Sequence, residues 1–180
     1  MFAPKRIRGC ILIGPPGAGK STVGGLLARD LGLPFLDTDI IIEESTGKKV
    51  SQIFIEDGEA KFREIEESVV LKSIEVDASD VNRPIVLALG GGSILSERVQ
   101  KVLKERDDIV YLDVSLSSAA PRVGFNRERP LLMVNPRQQW QELMNRRRPI
   151  YISLASVTVD TNEKSPKDVA LEIEKFLEAA

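Results

Sequence analysis

The stretch Ile11-Leu-Ile-Gly-Pro-Pro-Gly-Ala-Gly-Lys-Ser-Thr22 sets a crowd of glycines and prolines, and then a lysine, directly behind a short apolar run. It fits the pattern G-x-x-x-x-G-K-[ST] through Gly14, Gly19, Lys20 and Ser21. Ile11, Leu12 and Ile13 read as a buried strand. Residues 22–31 read as a helix with Val23, Leu26, Leu27 and Leu31 on one stripe. Between two such elements, glycines let backbone N–H groups curl around an anion without Cβ clashes, and the helix N-terminus adds unpaired donors and partial positive charge. The pattern is a phosphate cradle, in which Lys20 serves the β- and γ-phosphates as a point charge and the Ser21 hydroxyl is a ligand for Mg²⁺.

The bulk composition narrows the chemistry around that loop. At 180 residues the chain is long enough for one well-buried core and short for two ordinary domains, so a single domain with an inserted lid is expected. A net charge of −2 gives no global attraction to nucleic acid or an anionic membrane, and any anion site is therefore local. The single cysteine, Cys10, lies in the first apolar run, cannot form an internal disulfide and suits a reducing cytoplasm. The apolar run from Cys10 to Ile13 is too short for a signal segment, and nothing approaches the length of a membrane span. There are no histidines. That removes Ser-His-Asp, histidine general-base and zinc–histidine chemistry, leaving carboxylates, lysines and arginines to carry a reaction.

Strand-like runs near 7–13, 35–39, 85–89, 109–114 and 156–160 alternate with helical patterns. The alternation predicts an α/β fold, a five-stranded parallel sheet with helices on both faces and ligands bound beyond the carboxyl ends of the strands. Residues 78–84 read as a polar loop, and the tract from Glu75 to Arg83 as a surface loop. The irregular stretch 124–136 reads as a lid.

At the strand ends, Asp37 and Asp39 close the second run. On a strand they would share one face roughly 6 to 7 Å apart, Asp37 toward a metal and Asp39 toward an attacking hydroxyl. Capping of a helix beginning at Ile40 explains them equally simply. The third run, Ile85-Val-Leu-Ala-Leu89, carries no acidic residue and passes into Gly90, Gly91 and Gly92, either a close ligand approach or a turn leading to a helix. A helix over 136–148, with Asn135 as N-cap and Pro149 as its stop, puts Trp140, Leu143, Met144 and Arg147 on one inner stripe. An inward arginine requires an anionic partner, while Arg146 and Arg148 splay toward solvent. A helix over 58–76 carries Arg63 at the edge of its buried side, open to an i,i+3 pair with Glu66 or to a ligand.

With these pieces in order, the chain resembles the shikimate kinase family, small monomeric ATP-dependent kinases of aromatic amino-acid biosynthesis with a nucleoside-monophosphate-kinase-like fold. The resemblance spans nearly all 180 residues: GPPGAGKST, LDTDIIIE, GEAKFREIE, LALGGGS, NRERPLL, RRRPIY and VDTN, in the family's order. It implies one domain over 1–180, an acceptor-binding segment at about 39–76 and a lid at about 124–136. It further implies an ATP site of Gly17, Ala18, Gly19, Lys20, Ser21, Thr22, Arg122, Arg129 and Ser165, with Arg122 on adenine and Arg129 on the transferring phosphate. Mg²⁺ would be held by Ser21 and, through water, Asp37. Asp39 would be the candidate base. Shikimate would be bound by Asp39, Arg63, Arg147, Gly91 and Gly92, with Phe54 and Phe62 beside its ring. Lys20, Asp39 and Arg129 form the implied catalytic set. Rival expectations are a gluconate or nucleotide kinase of the same fold, or a nucleotide sensor without transfer chemistry; no N-K-x-D stretch is present to read guanine.

Overall fold

The computed structural model describes residues 8–79, 84–123 and 135–179. Its elements in chain order are β1 (Cys10–Ile13), α1 (Lys20–Leu31), β2 (Phe35–Asp37), α2 (Thr38–Thr46), α3 (Val50–Glu56), α4 (Gly58–Ser79), β3 (Val86–Ala88), α5 (Glu97–Leu103), β4 (Ile109–Asp113), α6 (Leu116–Val123), α7 (Pro136–Leu154), β5 (Val157–Asp160) and α8 (Pro166–Ala179). The strands form one parallel sheet in the order β2-β3-β1-β4-β5. Arg129, together with nearly all of the expected lid, lies outside the described residues. Among the described residues no helix is long and apolar enough to cross a membrane.

β1 is central because all of Cys10, Ile11, Leu12 and Ile13 are buried, which a strand covered on both faces requires. α1 lies close over the sheet. A Cβ at Gly24 would stand 2.4 Å from the Phe35 ring, so only glycine lets the helix approach β2 this nearly. Its far end is closed by Gly32 in the left-handed conformation, with Gly32 and Leu33 donating to the carbonyls of Arg29 and Ala28. Beside the main core, Ile42, Ile53 and Phe62 form a second apolar cluster, packed with Val50, Phe54, Ile65 and Val69. That cluster joins α2, α3 and α4 into a lobe at the β2 edge.

Three expectations need correction. The second strand ends at Asp37 and the helix begins at Thr38, so Asp37 and Asp39 do not share a strand face. Instead Asp37 caps α2, accepting from the Asp39 N–H at 3.0 Å. Second, α7 continues through Pro149 to Leu154. Proline removes one helical hydrogen bond, but Tyr151 and Leu154 beyond it are buried, and that packing outweighs the loss. Asn135 does precede α7, in the left-handed conformation and without a side-chain cap bond. Third, α4 extends to Ser79, past the expected end at Val76.

The last correction has an electrostatic cause. Asp77, on that added turn, is partly buried and pairs with Arg106, which also pairs with Asp108 just before β4. The cluster ties the end of α4 to the edge of the sheet opposite the strands' carboxyl ends. Arg106→Met leaves two partly buried carboxylates without a cation and is expected to destabilise the fold by about 2–4 kcal/mol. A urea unfolding curve at pH 7 with an unchanged slope and a lower midpoint would show it.

Candidate active site

The loop between β1 and α1 holds Gly14, Gly17 and Gly19 at positive φ, conformations that side chains resist and that turn successive N–H groups inward. Lys20 folds back over this loop, its Nζ donating to the Gly14 carbonyl at 2.8 Å and the Pro15 carbonyl at 3.2 Å. Ser21 Oγ donates to Asp37 Oδ2 at 2.5 Å. The nucleotide-binding expectations meet here. Gly17, Ala18, Gly19, Lys20, Ser21 and Thr22 line one cleft of about 410 Å³ together with Asp37, Asp39, Gly91 and Arg122.

At the far end of that cleft, Arg122 donates to the Thr161 carbonyl at 2.9 Å and to the Gly17 carbonyl at 3.4 Å. It thus fastens the chain after β5 to the phosphate loop while lining the cavity. Ser165 does not line it. Its hydroxyl exchanges hydrogen bonds with Asp168 in the first turn of α8, which makes it a helix cap. Trp140 Nε1 on α7 donates to the Pro16 carbonyl at 3.3 Å, a support for the loop that the helical stripe alone did not reveal.

The three glycines after β3 form the other wall, and each makes room for a particular neighbour. A Cβ on Gly90 would lie 2.6 Å from Asp39 Oδ1 and 2.7 Å from Glu66 Oε1. On Gly91 it would press on Pro16 and the Gly14 carbonyl, and on Gly92 it would stand 2.1 Å from Arg63 Nη1. Thr38 holds the start of this turn by accepting from the Gly90 N–H at 2.9 Å. The triplet is both a close approach and the turn into the short 3₁₀ segment Ser93–Leu95.

Arg63 is paired as well as poised. Its Nη1 meets Glu66 Oε2 at 2.5 Å and its Nη2 meets Glu59 at 3.2 Å. The guanidinium also faces the rings of Phe54 and Phe62, 5.7 and 5.2 Å from their centroids. Arg147 is 8 % exposed and donates to the Gly91 carbonyl at 3.0 Å. Among the described residues no carboxylate stands within ion-pair distance of it. Of its flanking residues, Arg148 is half exposed and pairs with Asp113.

Burial therefore works against the charges gathered here. It pushes the Glu66 carboxyl above its ordinary range despite Arg63, and Asp39 adds to the rise. Burial likewise pulls Arg147 down, with Tyr151 opposing the shift and Arg63 reinforcing it. Glu66 was a helical salt-bridge partner in the sequence pattern and is in fact the buried acid of the cluster. Its signal was its place midway between Phe62 and Val70, four residues from each on the buried face.

Comparison with known proteins settles the family. The family model for shikimate kinase matches residues 16–178. The chain belongs to the shikimate kinase family. A shikimate kinase from Thermobifida fusca (strain YX) is 48 % identical over 170 residues, 94 % of this chain and 95 % of the relative. A solved shikimate kinase from Acinetobacter baumannii, in complex with shikimate, superposes with a TM-score of 0.88 at 36 % identity, covering 97 % of this chain and 95 % of the other. A gluconokinase from Sinorhizobium meliloti 1021 reaches a TM-score of 0.53 at 20 % identity, over 97 % of this chain and 94 % of its own, a likeness of fold alone.

The Glu66 environment has a pH signature. Its value in the folded protein is raised above the ordinary 4.5, so its contribution to stability is fullest below that pH and is lost as pH rises through the folded value. Glu66→Gln, which cannot ionise, should therefore gain on the wild type as pH goes from 4.5 to 7. Urea midpoints measured across that range would show a difference that drifts in favour of the variant; a constant difference would contradict it.

Proposed function

We propose that the protein transfers the γ-phosphoryl group of ATP to the 3-hydroxyl of shikimate, giving shikimate 3-phosphate and ADP. The observation that carries this reading is Arg147, a buried guanidinium with no carboxylate at ion-pair distance among the described residues, which with Arg63 lies against the glycine turn whose Gly91 lines the phosphate-loop cleft. Two planar forks suit one planar carboxylate, and a monocarboxylate acceptor offers the anion whose absence burial penalises. An acceptor that is a nucleotide would need a base-reading pocket instead.

The acceptor would lie in the segment of about 39–76, its carboxylate on Arg63 and Arg147, its ring beside Phe54 and Phe62 and the backbone of Gly91 and Gly92. Asp39 orients or deprotonates the 3-hydroxyl, since a loose transition state asks little of a base. Lys20 and the amides of the loop stabilise charge on the γ-phosphoryl. Arg129 joins them on the strength of the family motif. Mg²⁺ fits Ser21 and Asp37: both offer hard oxygen donors, and their hydroxyl and carboxylate are in direct contact. No group of three or more acidic, cysteine or histidine ligands occurs among the described residues, as suits an ion that takes most of its ligands from phosphates and water. Bound there, the ion neutralises phosphate charge. With this activity go a cytoplasmic location, where ATP is available, and action as a monomer that needs neither nucleic acid nor membrane.

Coupled ADP release with Mg-ATP, comparing shikimate, gluconate, AMP and no acceptor, tests the reading. Release should depend on shikimate; release indifferent to it would overturn the acceptor site and leave the nucleotide site standing. Within that assay, Arg147→Ala should raise the shikimate KM about a hundredfold with the ATP KM within about twofold of wild type. Asp39→Asn should lower kcat by about two to three orders of magnitude.

A further inference from the structure

The peptide joining Gly91 to Gly92 carries the acceptor wall, yet two adjoining glycines restrain it less than any other pair of residues would. Its carbonyl accepts two hydrogen bonds, both from α7. Arg147 Nη1 donates at 3.0 Å and the Tyr151 hydroxyl at 2.5 Å. Arg147 and Tyr151 are four residues apart, so they stand one above the other on the same helix face. Tyr151 is fully buried, and its ring stacks on Tyr111 at 5.1 Å between centroids and 14° between planes. Tyr111 is held in turn, donating to Asp113 at 2.7 Å. The Tyr151 hydroxyl has almost no freedom in where it points.

We propose that Tyr151 is a positioning residue for the acceptor: its hydroxyl, alongside Arg147, pins the Gly91 carbonyl and so orients both the Gly91–Gly92 peptide and the Arg147 fork. The inference rests on the shikimate reading for the identity of the acceptor. The peptide is trans, so its C=O and N–H point in opposite directions. With the carbonyl drawn to α7, the Gly92 N–H faces away from that helix. No described residue accepts from that N–H, which leaves it to a ligand. The shared carbonyl occupies one corner of the Arg147 guanidinium and sets the plane of the rest. Without the hydroxyl, one bond from a ligand-binding side chain would have to hold a glycine peptide and aim a fork at once.

Tyr151→Phe removes the hydroxyl and keeps the stacked ring. It should raise the shikimate KM roughly tenfold, the worth of one such hydrogen bond, with kcat within about threefold and the ATP KM within about twofold. Tyr111→Phe loses a hydroxyl from the same stacked pair but keeps both rings and both bonds to the Gly91 carbonyl, and should move the shikimate KM by no more than about twofold. Replacing Tyr151 by 4-aminophenylalanine restores a donor and should recover most of the loss. A shikimate KM unmoved by Tyr151→Phe, or equal changes in all three variants, would overturn the proposal. The carbonyl ¹³C shift of Gly91 in the unliganded protein separates this inference from the choice of acceptor: it should move upfield in Tyr151→Phe, as a carbonyl does on losing a donor, whatever the acceptor is. An unmoved shift would overturn the pinning, whereas shikimate-independent turnover by the wild type would instead overturn the acceptor.

Discussion

The backbone at residues 90 to 92 lies tight against its neighbours, and the cleft is arranged around that closeness. A Cβ would collide with Asp39 and Glu66 at Gly90 and with Arg63 at Gly92, and at Gly91 it would press on the phosphate loop at Pro16 and Gly14. The same tightness holds the nucleotide loop, the acid of α2 and the arginine of α4 within one short turn of each other. β3 makes this possible because it is buried between β2 and β1, so its carboxyl end emerges where both loops converge.

Charge is treated differently at the two ends of the sheet. At the end away from the cleft, one guanidinium, Arg106, serves two carboxylates, so each charge there has an ion-pair partner. Around the cleft, Glu66 is shared with Arg63, while buried Arg147 donates to the Gly91 carbonyl and, among the described residues, faces no carboxylate at ion-pair distance. The first arrangement ties the end of α4 to the sheet. The second keeps a cation desolvated, a cost to the fold that an anion beside it would offset. α7 links the two functions of the cleft, since its residues Trp140, Arg147 and Tyr151 support the phosphate loop at one end and the glycine turn at the other.

Much of this was legible in the chain. The parallel sheet implied by the alternating pattern, the phosphate-loop motif and the inward Arg147 follow from local spacing, because each is read from residues a few positions apart, whereas the strand order β2-β3-β1-β4-β5 came only with the structure. The misreadings share a cause. Asp37 and Asp39 looked like strand neighbours, but capping of α2 by Asp37 ends the strand there. Pro149 looked like a stop, but buried Tyr151 and Leu154 carry α7 beyond it. α4 looked complete at Val76, but Asp77 finds Arg106 between α5 and β4 and the helix runs on to Ser79, while residues 80–83 of the expected loop lie outside the described residues.

By itself, the sequence determined the fold class, the phosphate cradle and the chemical types available for catalysis, down to the exclusion of histidine. Those are properties of composition and of period, and both are local. Tertiary structure alone decided that Arg63 shares its charge with a buried Glu66, that Ser165 caps a helix and does not line the cleft, and that Tyr151 shares a carbonyl with Arg147. Each depends on a partner many residues away or on which side of an element becomes dry, and the free energy of a charge or a hydrogen bond is set by that burial.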